Sequence, residues 1–159
     1  MDEVSEKRLL DQLEIEDIKT LKYRYMRFMM LGEIEAMRDL LTADVKAEYS
    51  DGKYSYDGAD AVLEFLRGTH APDSGLRSIW QLGHPEIEIT GPDTANGIWY
   101  FQHKTLHKPS GMNIEMASFY RDEYVKQDGR WRIQYTGYHR VLEQNWNTKD
   151  LPTTNIEVG

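Results

Sequence analysis

His103 is the side chain in this sequence best suited to general acid–base chemistry. It follows Trp99 and Phe101 in an alternating run, at a spacing of two residues. Because alternate residues of a strand share a face, all three side chains point to the same side of a predicted sheet. An imidazole there has a pKa near neutrality or lowered by burial, which suits it to moving a proton. The alternative is a histidine of a closed core that is hydrogen-bonded by a tyrosine.

Tyr25 and Arg140 are two further polar side chains that could meet a ligand. Tyr25 lies in the middle of a long helical pattern, where its phenol can donate a hydrogen bond to a substrate oxygen or simply pack in the core. Arg140 can bind a carboxylate or a coenzyme thioester tail, or it can form a structural ion pair. Counting by twos from Trp131 puts Arg140 on the opposite face, and a β-bulge at Gly137 would reverse that.

Two other histidines are weaker candidates. His84 lies four residues after Trp80 and shares its face if the strand is regular, so it can provide a second polar group in a pocket. Pro85 beside it indicates a strand edge or a bulge. His107 lies about 13 Å from His103 along a strand, too far for both to bind one metal ion. We therefore expect neither a metal site nor a cofactor.

Large apolar side chains accompany these polar candidates. Flat rings and pliable thioethers suit an aromatic or fused-ring ligand. The same residues can instead fill a closed core, but with seven methionines, four tryptophans and ten tyrosines in the chain we favour a pocket. The side chains expected to line it are Trp80, Met29, Met30, Met116, Phe101 and Trp99.

Helical periodicity dominates the N-terminal part of the chain. Apolar residues recur at positions 9, 10, 13, 15, 18, 21, 25, 28 and 29, which predicts one long helix from Leu9 to Leu31 that ends at Gly32. Shorter helices are predicted over residues 33–41 and 59–69. Between them, a small hairpin is predicted around the Asp51-Gly52 turn.

Strand-like runs follow the helices. Four of them cover residues 77–90, 94–107, 112–126 and 130–141, and turn signals rich in Gly, Pro and Asp separate them. Helices followed by an antiparallel meander predict an α+β fold rather than a parallel βαβ sheet. We expect one domain over residues 1–146, with a polar extension over residues 147–159.

The composition narrows the range of partners. A net charge of −8 on 159 residues argues against nucleic acid, because phosphate binding needs a basic surface. No apolar run approaches the roughly 20 residues of a membrane span, and residues 1–8 do not resemble a signal peptide. The sequence also contains no cysteine. We therefore expect a cytoplasmic protein without disulfides and without a nucleic-acid or membrane partner.

Several short motifs stand out along residues 15–146. They are Ile18-Lys19-x-Leu21-Lys22-x-x-Tyr25, Tyr49-Ser50-x-Gly52-Lys53, Pro85-Glu86-Ile87-x-Ile89, Gly97-x-Trp99-Tyr100, Phe119-Tyr120-x-Asp122-x-Tyr124, Asp128-Gly129-x-Trp131 and Thr136-Gly137-Tyr138-x-Arg140. Together with the order of elements, they resemble the SnoaL-like branch of the nuclear-transport-factor-2-like (NTF2-like) superfamily, which includes bile-acid 7α-dehydratases and scytalone dehydratase-like proteins. The resemblance implies a cone in which three N-terminal helices pack on a strongly curved antiparallel sheet that encloses a pocket. It also implies a homodimer or homotrimer formed through the convex sheet face.

The resemblance assigns roles position by position. A helix tyrosine and a C-terminal arginine of the bile-acid dehydratases correspond to Tyr25 and Arg140. Tyrosines that surround the pocket mouth in the family correspond to Tyr49, Tyr54 and Tyr56, which can bind a ligand or simply pack, and Tyr49 is the one expected to bind. A catalytic aspartate of the same enzymes corresponds to His103, a position where a scytalone dehydratase-like enzyme also has a histidine.

The Asp–His dyad that removes a proton in several relatives is absent. Its positions fall on Met30 and on Trp80, or on Gln81 if the alignment shifts by one residue. The first hypothesis is a cofactor-free lyase (a dehydratase) or an isomerase or cyclase that acts on a polycyclic or aromatic hydroxy-carbonyl compound. His103 would move the proton and Tyr25 would stabilise the oxyanion. The alternative is a non-catalytic module that binds an apolar ring-containing small molecule and has lost the dyad.

Overall fold

The chain begins with a long helix, α1 (Glu3–Leu31), in the computed structural model, which describes residues 2–151 and 153–157. The carboxylate of Asp2 caps it by accepting a hydrogen bond from the backbone N–H of Ser5 at 2.8 Å. Gly32 ends it in the left-handed conformation, with a φ of 71°. The helix starts before the predicted Leu9. Its first turns were not predicted because they are polar and exposed and show no apolar periodicity.

Two further helical segments complete the helical layer. The predicted second helix is a 3₁₀ helix, Ile34–Leu40, whose buried residues Ile34, Met37 and Leu40 recur every three residues as that geometry requires. The third is α2 (Ala59–His70), which buries Val62, Leu63 and Leu66 on one face. It extends one residue beyond the predicted end, and that residue is His70.

The rest of the chain forms one six-stranded sheet. The strands are β1 (Leu41–Tyr49), β2 (Tyr54–Asp57), β3 (Leu76–Gly91), β4 (Thr94–His107), β5 (Met112–Gln127) and β6 (Arg130–Asn147). Their order across the sheet is β2-β1-β6-β5-β4-β3, so the sheet is open at both edges. The helices and the inner face of the sheet enclose the apolar core. The predicted α+β architecture is confirmed.

The sheet is mixed, whereas an antiparallel sheet was expected from the sequence. Helix α2 carries the chain from edge strand β2 to the opposite edge strand β3, and the meander β3 to β6 then returns across the sheet. Its last strand, β6, arrives beside β1 and runs in the same direction. The prediction missed this pairing because strand periodicity does not specify which strands become neighbours.

Two of the β-bulges in the sheet decide which side chains of β3 and β6 face the cavity. In β3 the register with β4 shifts between Gly83 and Glu86, at His84, whose φ of 50° lies in the left-handed region. In β6 one extra residue, Gln134, stands between two residues that pair with consecutive positions of β5. Beyond each bulge the alternation of inner and outer side chains is reversed.

The predicted C-terminal extension begins inside the last strand. Strand β6 runs to Asn147, and a 3₁₀ turn, Thr148–Asp150, follows it. The backbone N–H of Thr148 donates to the carbonyl of Gly111 at 2.8 Å, which fixes this segment to the turn between β4 and β5. Residues 152, 158 and 159 of the extension lie outside the described residues. In the described part of the chain, no helix combines the length and the apolar character that spanning a membrane requires.

Candidate functional site

A cavity of about 310 Å³ lies between helix α2 and the inner face of the sheet. Its volume is at the lower end of the range for small-molecule pockets, roughly 300–1,000 Å³. A larger open groove beside the first turns of α1 is lined by charged side chains such as Arg8, Asp11 and Glu88, and among the described residues it has no aromatic wall. The aromatic side chains of the cavity wall are Tyr49, Tyr54, Phe65, Trp80, Tyr120 and Tyr138.

His103 lines this cavity, as the sequence predicts. The indole ring of Trp80 stacks on the imidazole, with ring centres 3.9 Å apart and planes inclined by 20°. The Nε2 atom of His103 is hydrogen-bonded to the hydroxyl of Thr105, which in turn lies 2.9 Å from the Oγ atom of Ser78. The Nδ1 atom is buried and has no hydrogen-bond partner among the described residues. Burial, with a smaller effect of the nearby His70, lowers the pKa of His103 to about 3.

His70 is a second histidine of the cavity wall, which the sequence reasoning missed. It is the last residue of α2, and its ring centre lies 6.0 Å from that of Trp80. Burial lowers its pKa to about 4, so the imidazole is neutral at pH 7. The helical period indicates that this residue shares a face with Leu63 and Leu66, which precede it by seven and four residues.

Tyr25 reaches the cavity only through a second tyrosine. Its side chain is fully buried, and its hydroxyl lies 2.9 Å from the hydroxyl of Tyr49. Tyr49 lines the cavity and Tyr25 does not. Burial raises the pKa of both phenols, so both are protonated at neutral pH. Of these two phenols, Tyr49 is therefore the one whose side chain can contact a ligand.

Three predicted lining residues form the support behind the wall. Phe101 is fully buried, and its ring centre lies 5.1 Å from that of Trp80. Met116 is buried opposite His103 in the register of β4 and β5. Trp99 is buried further along the sheet, where neighbouring rings and the core exclude it from the cavity lining. Trp80 and Met29 line the cavity as predicted.

Met30 and His84 lie outside the cavity, contrary to the sequence prediction. Met30 follows Met29 on α1 and so points about 100° away from it. Its sulfur accepts a hydrogen bond from the backbone N–H of Trp80 at 3.3 Å, beside a separate groove. His84 is exposed because the bulge in β3 turns it outward, where its ring lies 5.7 Å from that of Tyr100.

Arg140 faces the interior but does not line the cavity. The bulge at Gln134, and not one at Gly137, returns it to the inner face, where it pairs with the buried Ser118. Its guanidinium donates to the Oγ atom of Ser50 at 2.7 Å and forms an ion pair with Glu143 at 2.7 Å. These contacts occupy the group that was expected to bind a carboxylate.

A buried ion pair behind the cavity also escaped the sequence reasoning. Lys22 and Asp122 are both shielded from solvent, and the Nζ and Oδ2 atoms are 2.7 Å apart. The hydroxyl groups of Tyr124 and Thr136 donate to the same carboxylate, each at 2.7 Å. Burial lowers the pKa of Lys22, and the carboxylate opposes that shift. The Nζ atom lies 3.7 Å from the ring centre of Tyr120, whose ring forms part of the cavity wall.

The cavity offers neutral imidazoles and phenols in aromatic surroundings. Among the described residues, none of those lining it is an aspartate, a glutamate, a lysine or an arginine. A neutral imidazole can accept a proton, and a neutral phenol can donate a hydrogen bond to a developing oxyanion. Such a site is suited to proton transfer on an uncharged ring compound rather than to the binding of phosphate or carboxylate groups.

Comparison with known proteins identifies a family, because a model of the SnoaL-like domain family matches residues 10–136. The fold is similar to that of a scytalone dehydratase-like protein from Novosphingobium aromaticivorans, with a TM-score of 0.76 at 16% identity over 86% of this chain and 90% of that chain. A type 3 hexachlorocyclohexane dehydrochlorinase from Novosphingobium barchaimii matches with a TM-score of 0.71 at 17% identity, over 87% of this chain and 92% of that chain. ActVI-ORFA from Streptomyces coelicolor matches with a TM-score of 0.67 at 11% identity, over 80% of this chain and 96% of that chain. The predicted resemblance is thus confirmed, and at these identities the structural neighbours show the fold alone.

Proposed function

Because the chain belongs to the SnoaL-like domain family, we propose that it is a cofactor-free lyase or isomerase that works on an apolar, ring-containing hydroxy-carbonyl compound. Dehydration is the first candidate reaction, and cyclisation or double-bond migration requires the same groups. The observation that carries this proposal is the aromatic cavity with two imidazoles, His70 and His103, that burial holds neutral. Structural neighbours that are named as dehydratases and dehydrochlorinases support it.

The proposed reaction needs one base, one hydrogen-bond donor and the exclusion of water. A neutral imidazole of the wall takes a proton from the carbon next to the substrate carbonyl. The hydroxyl group of Tyr49 donates to the carbonyl oxygen as negative charge develops on it, and Tyr25 holds that hydroxyl group in place. The aromatic walls exclude water and hold the ring system against the base.

Two properties beyond the reaction belong to the same proposal. We place the protein in the cytoplasm, and we expect it to form a homodimer or homotrimer through the outer face of the sheet. Exposed apolar side chains on that face support the assembly, since such patches mark contact surfaces. They are Ile79, Phe119, Val141 and Leu142. Light scattering at micromolar concentration measures the assembly directly, and a monomer there would contradict it.

A non-catalytic binding module is the second candidate function. The stacking of Trp80 on His103 favours it, because the indole covers one face of the imidazole. The absence of a carboxylate from the described lining of the cavity favours it too, because the Asp–His dyad of several relatives is then missing.

The deciding experiment measures binding and turnover in one assay. Hydroxylated steroid-like, naphthalenone and polyketide-like compounds are incubated with the wild type and with Tyr49→Phe and His84→Gln variants, and products are followed by mass spectrometry. Tryptophan fluorescence reports binding, because Trp80 lies in the cavity wall. Conversion that falls in Tyr49→Phe but not in His84→Gln, a change on the outer face, supports the lyase or isomerase. Binding without conversion of any compound supports the binding module.

A further inference from the structure

We infer that the Nε2 atom of His70 is the group that accepts a hydrogen bond or a proton from the ligand of the cavity, an assignment that rests on the proposed function. His70 is at the last position of α2, where helix, edge of the sheet and cavity meet. The sequence reasoning gives the role of base to His103 instead. The hydrogen bonds of the two imidazoles favour His70.

The hydrogen-bond contacts of the preceding residue favour one tautomer of His70. The Nδ1 atom of His70 lies 2.8 Å from the Oγ1 atom of Thr69. The single hydroxyl proton of Thr69 is directed to the carbonyl oxygens of Phe65 and Leu66, at 3.0 and 3.3 Å. The Thr69 oxygen therefore accepts, and the Nδ1 atom of His70 carries the ring proton. The lone pair of the neutral ring is then on Nε2.

The free nitrogen of His70 is also accessible. In the part of the chain that the structure describes, Nε2 of His70 makes no hydrogen bond, and it is not among the polar atoms that are both buried and unpaired. The side chain lines the cavity and also the separate groove beside Met30, and in the proposed role the lone pair meets a ligand in the cavity. Thr69 acts as a positioning residue, because it fixes the proton on Nδ1 and so leaves Nε2 basic.

His103 lacks both of these properties. Its Nε2 is already bonded to Thr105, and its Nδ1 is shielded on all sides. The Thr105 hydroxyl can donate either to His103 or to Ser78, so the tautomer of His103 is not fixed. The stacked indole of Trp80 covers one face of the ring. His103 is therefore a polar part of the wall rather than an accessible base.

In a dehydration, the step at His70 balances without any further reagent. Nε2 takes the proton from the carbon next to the substrate carbonyl, and the electron pair of that C–H bond forms the new carbon–carbon double bond. The bond from the adjacent carbon to its hydroxyl group breaks with its electron pair. The leaving hydroxide takes the proton back from Nε2 and departs as water, so His70 ends as a neutral imidazole.

The first test reads the tautomer in the wild-type protein. Long-range ¹H–¹⁵N correlation spectra of the histidine rings at pH 7 distinguish a protonated nitrogen from one with a lone pair. We expect His70 to carry its proton on Nδ1, and Thr69→Val to give a mixture of tautomers while Thr69→Ser keeps the wild-type form. A His70 ring protonated at Nε2 in the wild type overturns the inference. The signal is assigned by its loss in His70→Gln, with His84→Gln as the matched control.

The second test uses 2-naphthol as a probe, since it is a flat ring compound with one weakly acidic hydroxyl group. We expect its binding to move the Nε2 signal of His70 and to weaken roughly three- to tenfold in His70→Phe, the loss expected for one hydrogen bond. His84→Phe should bind like the wild type, and His103→Phe should lose less than His70→Phe. Binding that leaves the His70 signal unmoved, or no binding at millimolar concentration, overturns the inference.

Turnover separates this inference from the proposed function. For any compound that is converted, His70→Gln should lower kcat by about 10²- to 10⁴-fold, as the loss of a general base does. Conversion that is unchanged in His70→Gln refutes the role of His70 and leaves the lyase proposal intact. A His70 signal that responds to 2-naphthol, with no compound converted, refutes the lyase proposal and leaves His70 as the acceptor of a binding site.

Discussion

Lys22 and Asp122 form an ion pair, with Nζ 2.7 Å from Oδ2, in a part of the core that solvent does not reach. The pair connects α1 to β5 directly behind the cavity wall. Two hydroxyl groups complete the hydrogen bonds of the carboxylate, and the ring of Tyr120 lies against the ammonium group. The partners thus compensate one another, because removal of either one leaves a buried charge without its counter-charge.

Lys22→Met should lower the free energy of unfolding by about 3–5 kcal/mol, the usual cost of removing one partner of a buried ion pair. The double variant Lys22→Met/Asp122→Asn should recover part of that loss, since no uncompensated charge remains. Urea unfolding measures both values. Lys7→Met, which breaks an exposed pair with Asp11, is the control and should change little. Equal losses in Lys22→Met and Lys7→Met would contradict the importance of the buried pair.

Tyr25→Phe and Tyr49→Phe should separate stability from activity. The hydroxyl oxygens of Tyr25 and Tyr49 are 2.9 Å apart, and each variant removes one of them. Each should therefore lower the free energy of unfolding by about 1–3 kcal/mol, because the remaining buried hydroxyl group loses its hydrogen-bond partner. Turnover should fall mainly in Tyr49→Phe, because only Tyr49 lines the cavity. Thermal unfolding and initial rates on the same preparations test this. If Tyr25→Phe lowers kcat as strongly as Tyr49→Phe, the Tyr49 hydroxyl is not the donor that acts on the substrate independently of Tyr25.

The stability of the protein should fall between pH 6.5 and pH 4.5. Burial lowers the pKa of His70 to about 4 and of His103 to about 3, whereas both are near 6.5 in an unfolded chain. In this range the unfolded chain binds protons that the folded chain does not, so the free energy of unfolding decreases as the pH falls. The contribution of these two residues is largest above pH 6.5, where neither state gains a proton at them.

Urea unfolding at a series of pH values measures that slope. The double variant His70→Gln/His103→Gln should show a flatter slope in this range, and His84→Gln should keep the wild-type slope because its side chain is exposed. Carboxylates with lowered pKa values, such as Glu14 beside Lys126, add their own loss only below about pH 4.5. A slope that is unchanged in the double variant would show that other groups are responsible.

Gly97→Ala should destabilise the protein by about 1–3 kcal/mol, as overpacking of a core does. A Cβ atom at position 97 would lie 2.9 Å from the ring of Tyr124 and 3.2 Å from its hydroxyl oxygen. That contact would displace the hydroxyl that donates to Asp122. Thermal unfolding tests it. Gly68→Ala is the matched control, because its Cβ atom meets nothing within 4 Å, and in helix α2 it should stabilise by up to about 1 kcal/mol.

Periodicity and turn chemistry were sufficient to predict the fold class. The helical period of α1 and the Gly-containing turns between the long strands are local signals, and the structure contains each of these elements. The parallel pairing of β1 with β6 could not be predicted in this way. It depends on where α2 returns the chain to the sheet, which is a property of the whole fold and not of a segment.

The site was predicted less well, for two physical reasons. Strand parity holds only between bulges, so His84 was placed on the wrong face although Trp80 and His103 were placed correctly. Charge and helix ends are also weak local signals. Lys22 has the helical spacing of a core position, but a lysine side chain is seldom buried without a partner, and its partner Asp122 lies 100 residues away in the sequence. His70 lies one residue beyond the predicted end of α2.

The extra residue at Gln134 has a consequence for how this protein can change in evolution. Directly paired residues of neighbouring strands point to the same side of a sheet, and Gln134 is the residue of β6 that lacks a partner in β5. Its loss would therefore straighten the strand and keep Tyr138 opposite Tyr120 in the cavity wall. One residue can be lost at this point without disturbing the site, whereas an added residue would shift the register by one and bring the neighbours of Tyr138 to the inner face.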